Sequence, residues 1–226
     1  NYLVTLIWSK KSVSFLLFVA LIQFEKNIDI LMLGFFLDMN AVGIYSLAVK
    51  ITAIILLVSV ALNQVASPIF SELYALGEME KLGKFIKLIT ITSSFIALLV
   101  LGVTFQFSDN FISFFGNGYD QSALILKIMI IGQCIKAMAG PVLMVAVMTG
   151  GQKVAVKAIF FGLLFHIVLN LILMPIFGVN GVAISSSISL VCWSAFLSHQ
   201  LYRRLGINMS LFSKVKLNNI ASINVH

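Results

Sequence analysis

Charge is scarce in this sequence. Its 15 lysines and arginines and 8 aspartates and glutamates make up 10% of 226 residues, against about 25% in an ordinary soluble domain. Hydrophobic residues account for 60%, and the mean hydropathy is +1.07. So little polar sequence cannot cover a water-facing surface, which excludes a soluble globular enzyme. Disorder is excluded as well, because it needs low hydrophobicity and high charge. Cysteine is limited to Cys134 and Cys192, both in apolar stretches. They read as buried small hydrophobes rather than as a disulfide.

Other absences narrow the chemistry. His166, His199 and His226 lie at no metal-ligand spacing from cysteines or carboxylates. There is no glycine-rich phosphate loop for a nucleotide, no arguable Ser/His/Asp arrangement, and no run of alternating segments of the kind barrel strands require. The sequence offers no small-x-small cleavage site after the apolar run that follows Lys10-Lys11, which excludes a signal peptide. What remains is an all-α integral membrane protein without a catalytic site.

Three runs are free of charge: 51–71, 88–108 and 158–202. As one helix the last would reach roughly 67 Å, more than twice a hydrocarbon core of about 30 Å. It must fold back, and the turn formers from Pro175 to Gly181 mark the place. The same ruler predicts a six-helix bundle with helices near 12–37, 42–67, 84–107, 121–148, 153–176 and 179–202. Residues 1–11 form a lead-in, 12–204 the transmembrane lobe and 205–226 a tail. With both termini on one side, that side holds Lys10, Lys11, Lys81, Lys84, Lys87, Lys153, Lys157, Arg203, Arg204, Lys214 and Lys216, while the opposite connections near 38–41, 108–120 and 177–178 hold no basic residue. This asymmetry predicts cytoplasmic termini. It also explains the net charge of +7 without nucleic acid, since no basic stripe interleaves with aromatics.

Six ionisable residues fall inside the predicted helices: Glu25, Lys26, Asp29, Lys50, Lys127 and Lys136. Each costs about 2.5–3.5 kcal/mol at the bilayer centre. The first helix also carries Gln23 and Asn27, so polar groups cover more than half of its circumference. That segment either lines a watery cavity or forms a buried network between helices. Asp29 and Lys50 each lie about 12 Å deep on antiparallel neighbours, so they either pair or Lys50 snorkels outward. Gln133, Lys136 and Gly140 share a face of the fourth helix, and Pro141 should kink it. Gly162, His166 and Asn170 form one face of the fifth helix, where a lone histidine reads first as a packed hydrogen-bonding residue. Gly181, Ser185 and Ser189 form a small-residue seam on the sixth. Four embedded lysines against two carboxylates point to a basic cavity suited to an anionic ligand.

The stretch Asp29-Ile-Leu-Met-Leu-Gly34, then Val42-Gly43-Ile44-Tyr45 and Ala48-Val49-Lys50, resembles the opening of the second half of Wzx-type polysaccharide flippases, in the superfamily of MATE exporters. Phe115-Gly-Asn-Gly-Tyr119 resembles that family's outer-loop element, Gly150-Gly-Gln-Lys153 its cytoplasmic turn, and Asn170 through Ala183 its last hairpin. The resemblance implies one lobe of a two-lobe transporter. Together with Asn1 as first residue, it implies the C-terminal half of a longer chain, whose N-terminal lobe would be a partner beside membrane lipid. It further implies flipping of polyprenyl-diphosphate-linked oligosaccharides across the bacterial inner membrane by alternating access. No cofactor is implied beyond a proton or sodium gradient.

From depth and charge, Lys26, Lys50 and Lys136 are expected to offset the diphosphate, with Gln133, His166 and Asn170 along the same path and Glu25 and Asp29 holding the coupling ion. The rival readings are an ion-coupled exporter of small organic molecules, a membrane transferase or ligase of the same pathway, and a scaffold.

Overall fold

The computed structural model describes residues 2–113, 120–207, 209 and 211. Every element among them is helical: α1 Tyr2–Phe36, α2 Met39–Ile55, α3 Leu57–Ala75, α4 Met79–Ser113, α5 Asp120–Ala139, α6 Val142–Met148, α7 Gln152–Phe177 and α8 Val179–Leu205. The outer-loop element at 115–119, and the tail from 212 with Lys214, Lys216 and His226, lie outside the described residues. Four helices, α4, α5, α7 and α8, are long and apolar enough to cross a membrane, and a fifth span results if α2 and α3 count as one bent element. The outward faces agree with a lipid environment: Phe35, Phe161, Ile172 and Ile176 are all exposed, more large apolar surface than water tolerates.

Eight helices stand where six were expected, because two of the six are broken. Residues 42–67 are predicted as one helix. Instead α2 bends by 49° into α3. The bend falls at Leu56, whose ψ is 0°. One turn earlier the Thr52 hydroxyl donates to the Ala48 carbonyl at 2.8 Å, a back-bond that tends to bend helices. Pro68 does not end α3. It removes a single hydrogen bond, while Ala66 and Phe70 on either side are buried and hold the helix in place.

The second break is the expected one at Pro141, where the helix is interrupted and restarts at Val142. Gly140 has φ +90° and separates α5 from α6. The first helix starts at Tyr2, so the expected lead-in is helical. At the last hairpin α7 runs through Pro175 to Phe177, and Gly178 alone makes the turn, at φ 58°, a conformation that favours glycine. Cys192 is exposed, against expectation, while Cys134 is buried; both are free thiols.

α5 sits centrally, packed on α4, α8 and α2, and α7 packs along α8. The expected small-residue seam forms: Gly181, Ser185 and Ser189 are buried on α8, and the Ser189 hydroxyl donates to the Gly162 carbonyl on α7 at 3.0 Å. A Cβ on Gly132 of α5 would lie 2.7 Å from Cβ of Ser187 on α8, so that crossing is equally close.

Two apolar cores result. One gathers Phe70, Leu82, Ile86, Val145 and Leu197 with Trp193. The other gathers Leu33, Tyr45, Ile125, Leu126 and Val182. At the end carrying the first core, Arg204 of α8 donates to the Thr149 carbonyl at 3.1 Å and so clasps the α6–α7 turn. Arg204→Ala is expected to lower stability by about 1 kcal/mol, read as a reduced unfolding midpoint in detergent.

Candidate functional site

The charged residues of α1 fall between the two cores. Glu25 follows Leu21 and Ile22, which pack on the first core, and Asp29 lies between Ile28 and Met32 of the second. At 100° per residue Glu25 and Asp29 share a face, yet their surroundings differ.

Asp29 is 4% exposed. Its carboxylate accepts a short hydrogen bond from the Tyr45 hydroxyl of α2 and another from Asn170 Nδ2 of α7 at 2.8 Å. His166, one turn before Asn170 on α7, brings Nε2 to 2.9 Å from Asp29 Oδ1. That is ion-pair distance for a protonated imidazole. Asn170 Oδ1 is buried without a hydrogen-bond partner. Three helices are therefore pinned to one carboxylate. The Ser122 hydroxyl of α5 donates to the Ile44 carbonyl at 2.8 Å and holds α2 beside the site.

Glu25 is half-buried. The charges acting on it come from His166, Lys136, Asp29 and Lys26, which identifies its neighbourhood. Lys136 of α5 is half-buried, with Nζ 5.9 Å from the ring centre of Trp193 on α8, within cation–π range. A Cβ on Gly162 would lie 2.8 Å from Trp193 Cβ, so the missing side chain is what lets this tryptophan approach α7. Gln133, also half-buried, lies one turn before Lys136. Lys26 is exposed, as are Gln23 and Asn27.

Around Asp29 there is a closed network. Around Glu25, Lys26 and Lys136 there is a partly open, charged zone one turn away. The structure brings together Glu25, Lys26, Asp29, Lys136, His166 and Asn170, with Gln133 beside them.

Lys50 is not part of this group, and the Asp29–Lys50 pair does not form. Lys50 is exposed, and Tyr45 takes the place opposite Asp29. The five residues from Tyr45 to Lys50 turn α2 by about 140° to another face. Lys127 lies about 13 Å along α5 from Lys136. Of the four embedded lysines, Lys26 and Lys136 stand near Glu25, and Lys50 does not.

Tyr45 and Trp193 were not assigned a role from sequence, although a signal existed for both. A tyrosine deep in an apolar helix needs a partner for its hydroxyl, and a tryptophan ring beside embedded lysines offers a face to a cation. Among the described residues no group of three or more His, Cys, Asp or Glu is placed to hold a metal ion.

The family model described as MatE matches residues 15–172. A curated relative, the "Probable low-salt glycan biosynthesis flippase Agl15" of Haloferax volcanii, is 24% identical over 218 residues, covering 88% of this chain and 42% of that protein. The chain thus spans less than half the length of the relative it matches.

Proposed function

This chain belongs to the MatE family, and we propose that it forms one lobe of a membrane transporter that flips lipid-linked oligosaccharides. The lobe makes six passes, with α2–α3 and α5–α6 each forming one, and both of its termini face the cytoplasm of a bacterial inner membrane. A second lobe completes the pathway. The relative's designation as a glycan biosynthesis flippase supports the substrate class.

The observation that carries the reading is the division of the α1 polar face. In the open zone, Lys26 and Lys136 meet the diphosphate while Glu25 keeps the zone near neutral between cycles. In the closed zone, Asp29 with His166 and Asn170 holds the coupling proton or sodium ion. The unpartnered Asn170 Oδ1 is the acceptor such an ion uses. Occupation of Asp29 alters its grip on Tyr45 and α2, and rocking of the lobes follows from that change. The polyprenyl tail stays in lipid. The protein is a transporter and not an enzyme in this reading.

Complementation of a flippase-deficient strain with the full-length gene tests it. Lys136→Ala is expected to reduce surface polysaccharide roughly tenfold, equivalent to about 1.4 kcal/mol of lost interaction. Lys26→Ala should have a smaller effect, and Lys50→Ala none. Normal polysaccharide in both Lys136→Ala and Lys26→Ala at equal protein level removes the lysines from the pathway.

A further inference from the structure

The break between α5 and α6 leaves carbonyls to satisfy. In an unbroken helix the Ala137 carbonyl would accept from residue 141 and the Met138 carbonyl from residue 142. Residue 141 is proline and has no N–H. The Val142 N–H turns instead to the Gly140 carbonyl at 2.8 Å. Both orphans are nevertheless partnered. Ala137 O accepts from Gly140 N at 3.1 Å and from the Ser94 hydroxyl of α4 at 3.3 Å. Met138 O accepts from the backbone N–H of Leu211 at 2.9 Å.

Leu211 comes from beyond the last helix. α8 ends at Gly206, whose φ of 69° turns the chain back. The returning segment then climbs α4. Ile207 packs against Gly83, 3.7 Å from where a Cβ would stand. Met209 is 1% exposed, and its carbonyl takes the longer branch, 3.3 Å, of a Thr90 hydroxyl that also donates to the Ile86 carbonyl at 2.8 Å. From Gly83 to Thr90 is about 10 Å along α4. The segment ends against the α5–α6 joint, where a Cβ on Gly140 would lie 2.7 Å from Thr90 Oγ1 and 3.0 Å from the Met209 carbonyl. Gly140 is thus required twice, for its φ and for the room it leaves. A tail that only trailed from the bundle would have no reason to bury Met209 or to supply the missing donor to Met138.

We propose that the chain after α8, through Ile207, Met209 and Leu211, is a strap that locks the α5–α6 joint bent. While Leu211 holds Met138 O, that carbonyl is satisfied with the joint bent, and recovering the helical bond from Val142 brings little. When the strap leaves, Met138 O loses its partner and the joint is free to change its angle. Lys136 lies one turn before Gly140, so a change at the joint moves its ammonium relative to Glu25 and Trp193. The strap thereby connects the end of α8 to the charged zone between the cores. Its effect on transport rests on the reading of Lys136 as a pathway residue; its effect on the joint does not.

Hydrogen exchange on the full-length protein in lipid nanodiscs tests it. Leu211→Pro removes the donor at a partly exposed position, and Thr90→Val removes the second tie without changing side-chain shape. Both are expected to speed amide exchange across Val142–Met148 roughly five- to tenfold, the amount expected for one lost hydrogen bond, with α7 unchanged, and to alter the rate of glycan flipping. Wild-type exchange in both variants overturns the strap. Faster exchange with unchanged flipping upholds the strap and removes Lys136 from the pathway.

Discussion

Gly181→Ala is expected to prevent stable assembly of the lobe, with the largest loss of stability of any single methyl added to it. A Cβ at this position would lie 2.2 Å from the Leu173 carbonyl oxygen and 2.6 Å from its carbon. Both are backbone atoms, so no side-chain rotation relieves the clash. Gly178 is the only residue between α7 and α8, so the helices cannot separate at this end without breaking the turn. The cost is about 3 kcal/mol or more, the upper range for an overpacked site. The strain would be felt at Asn170, one turn before Leu173. Gly43→Ala is the control. Nothing lies within 4 Å of the Cβ it adds, and an alanine inside a helix gains roughly 0.5–1 kcal/mol over glycine. Graded SDS unfolding from bicelles measures both. Equal unfolding midpoints for Gly181→Ala and wild type would show that the α7–α8 contact is looser than the structure describes.

Asp29→Asn is expected to abolish most transport while leaving much of the fold intact. The amide keeps the size of the side chain and can still accept from Tyr45. It loses the charge facing His166, and it sets one amide against Asn170 Nδ2. Hydrogen bonds to a charged group contribute about 1.5–3 kcal/mol each, so losing one weakens ion binding roughly 10- to 100-fold. Double-mutant cycles locate the partner. Asp29→Asn with Tyr45→Phe should be coupled by more than about 1 kcal/mol, because the two side chains share one bond. Asp29→Asn with Lys50→Met should be additive within about 0.5 kcal/mol, because Lys50 lies on another face of α2. Coupling to Lys50 and additivity with Tyr45 would reverse the assignment made here.

The polar face of α1 and the break at Pro141 were both legible in the sequence. A charge in an apolar run costs energy wherever that run is placed, and a proline lacks its donor in any helix. Periodicity put His166 and Asn170 together on α7 correctly, since residues four apart lie on one face in any helix. The partner of Asp29 was not legible. Depth alone allowed Lys50, because depth fixes position along an axis and says nothing about rotation around it. The rotation of α2 is set by packing against α5, through the bond from Ser122 to Ile44, and that brings Tyr45 inward. The bend at Leu56 was hidden for a related reason: no glycine or proline marks it, only a threonine that bonds back along its own helix.

Composition by itself determined that this chain belongs in a membrane and is built of helices. Apolar side chains exceed what water accepts, and a backbone in hydrocarbon must satisfy its own hydrogen bonds. The order of glycines, prolines and charges marked the turns at Gly140 and Gly178 but not the bend at Leu56. Tertiary structure decided which polar groups meet. It placed Asp29 under Tyr45, His166 and Asn170, left Lys50 outside, and sent the chain after α8 back to the broken α5–α6 joint. These are contacts between residues far apart in sequence, and their energy depends on how helices rotate and approach, which local pattern does not encode.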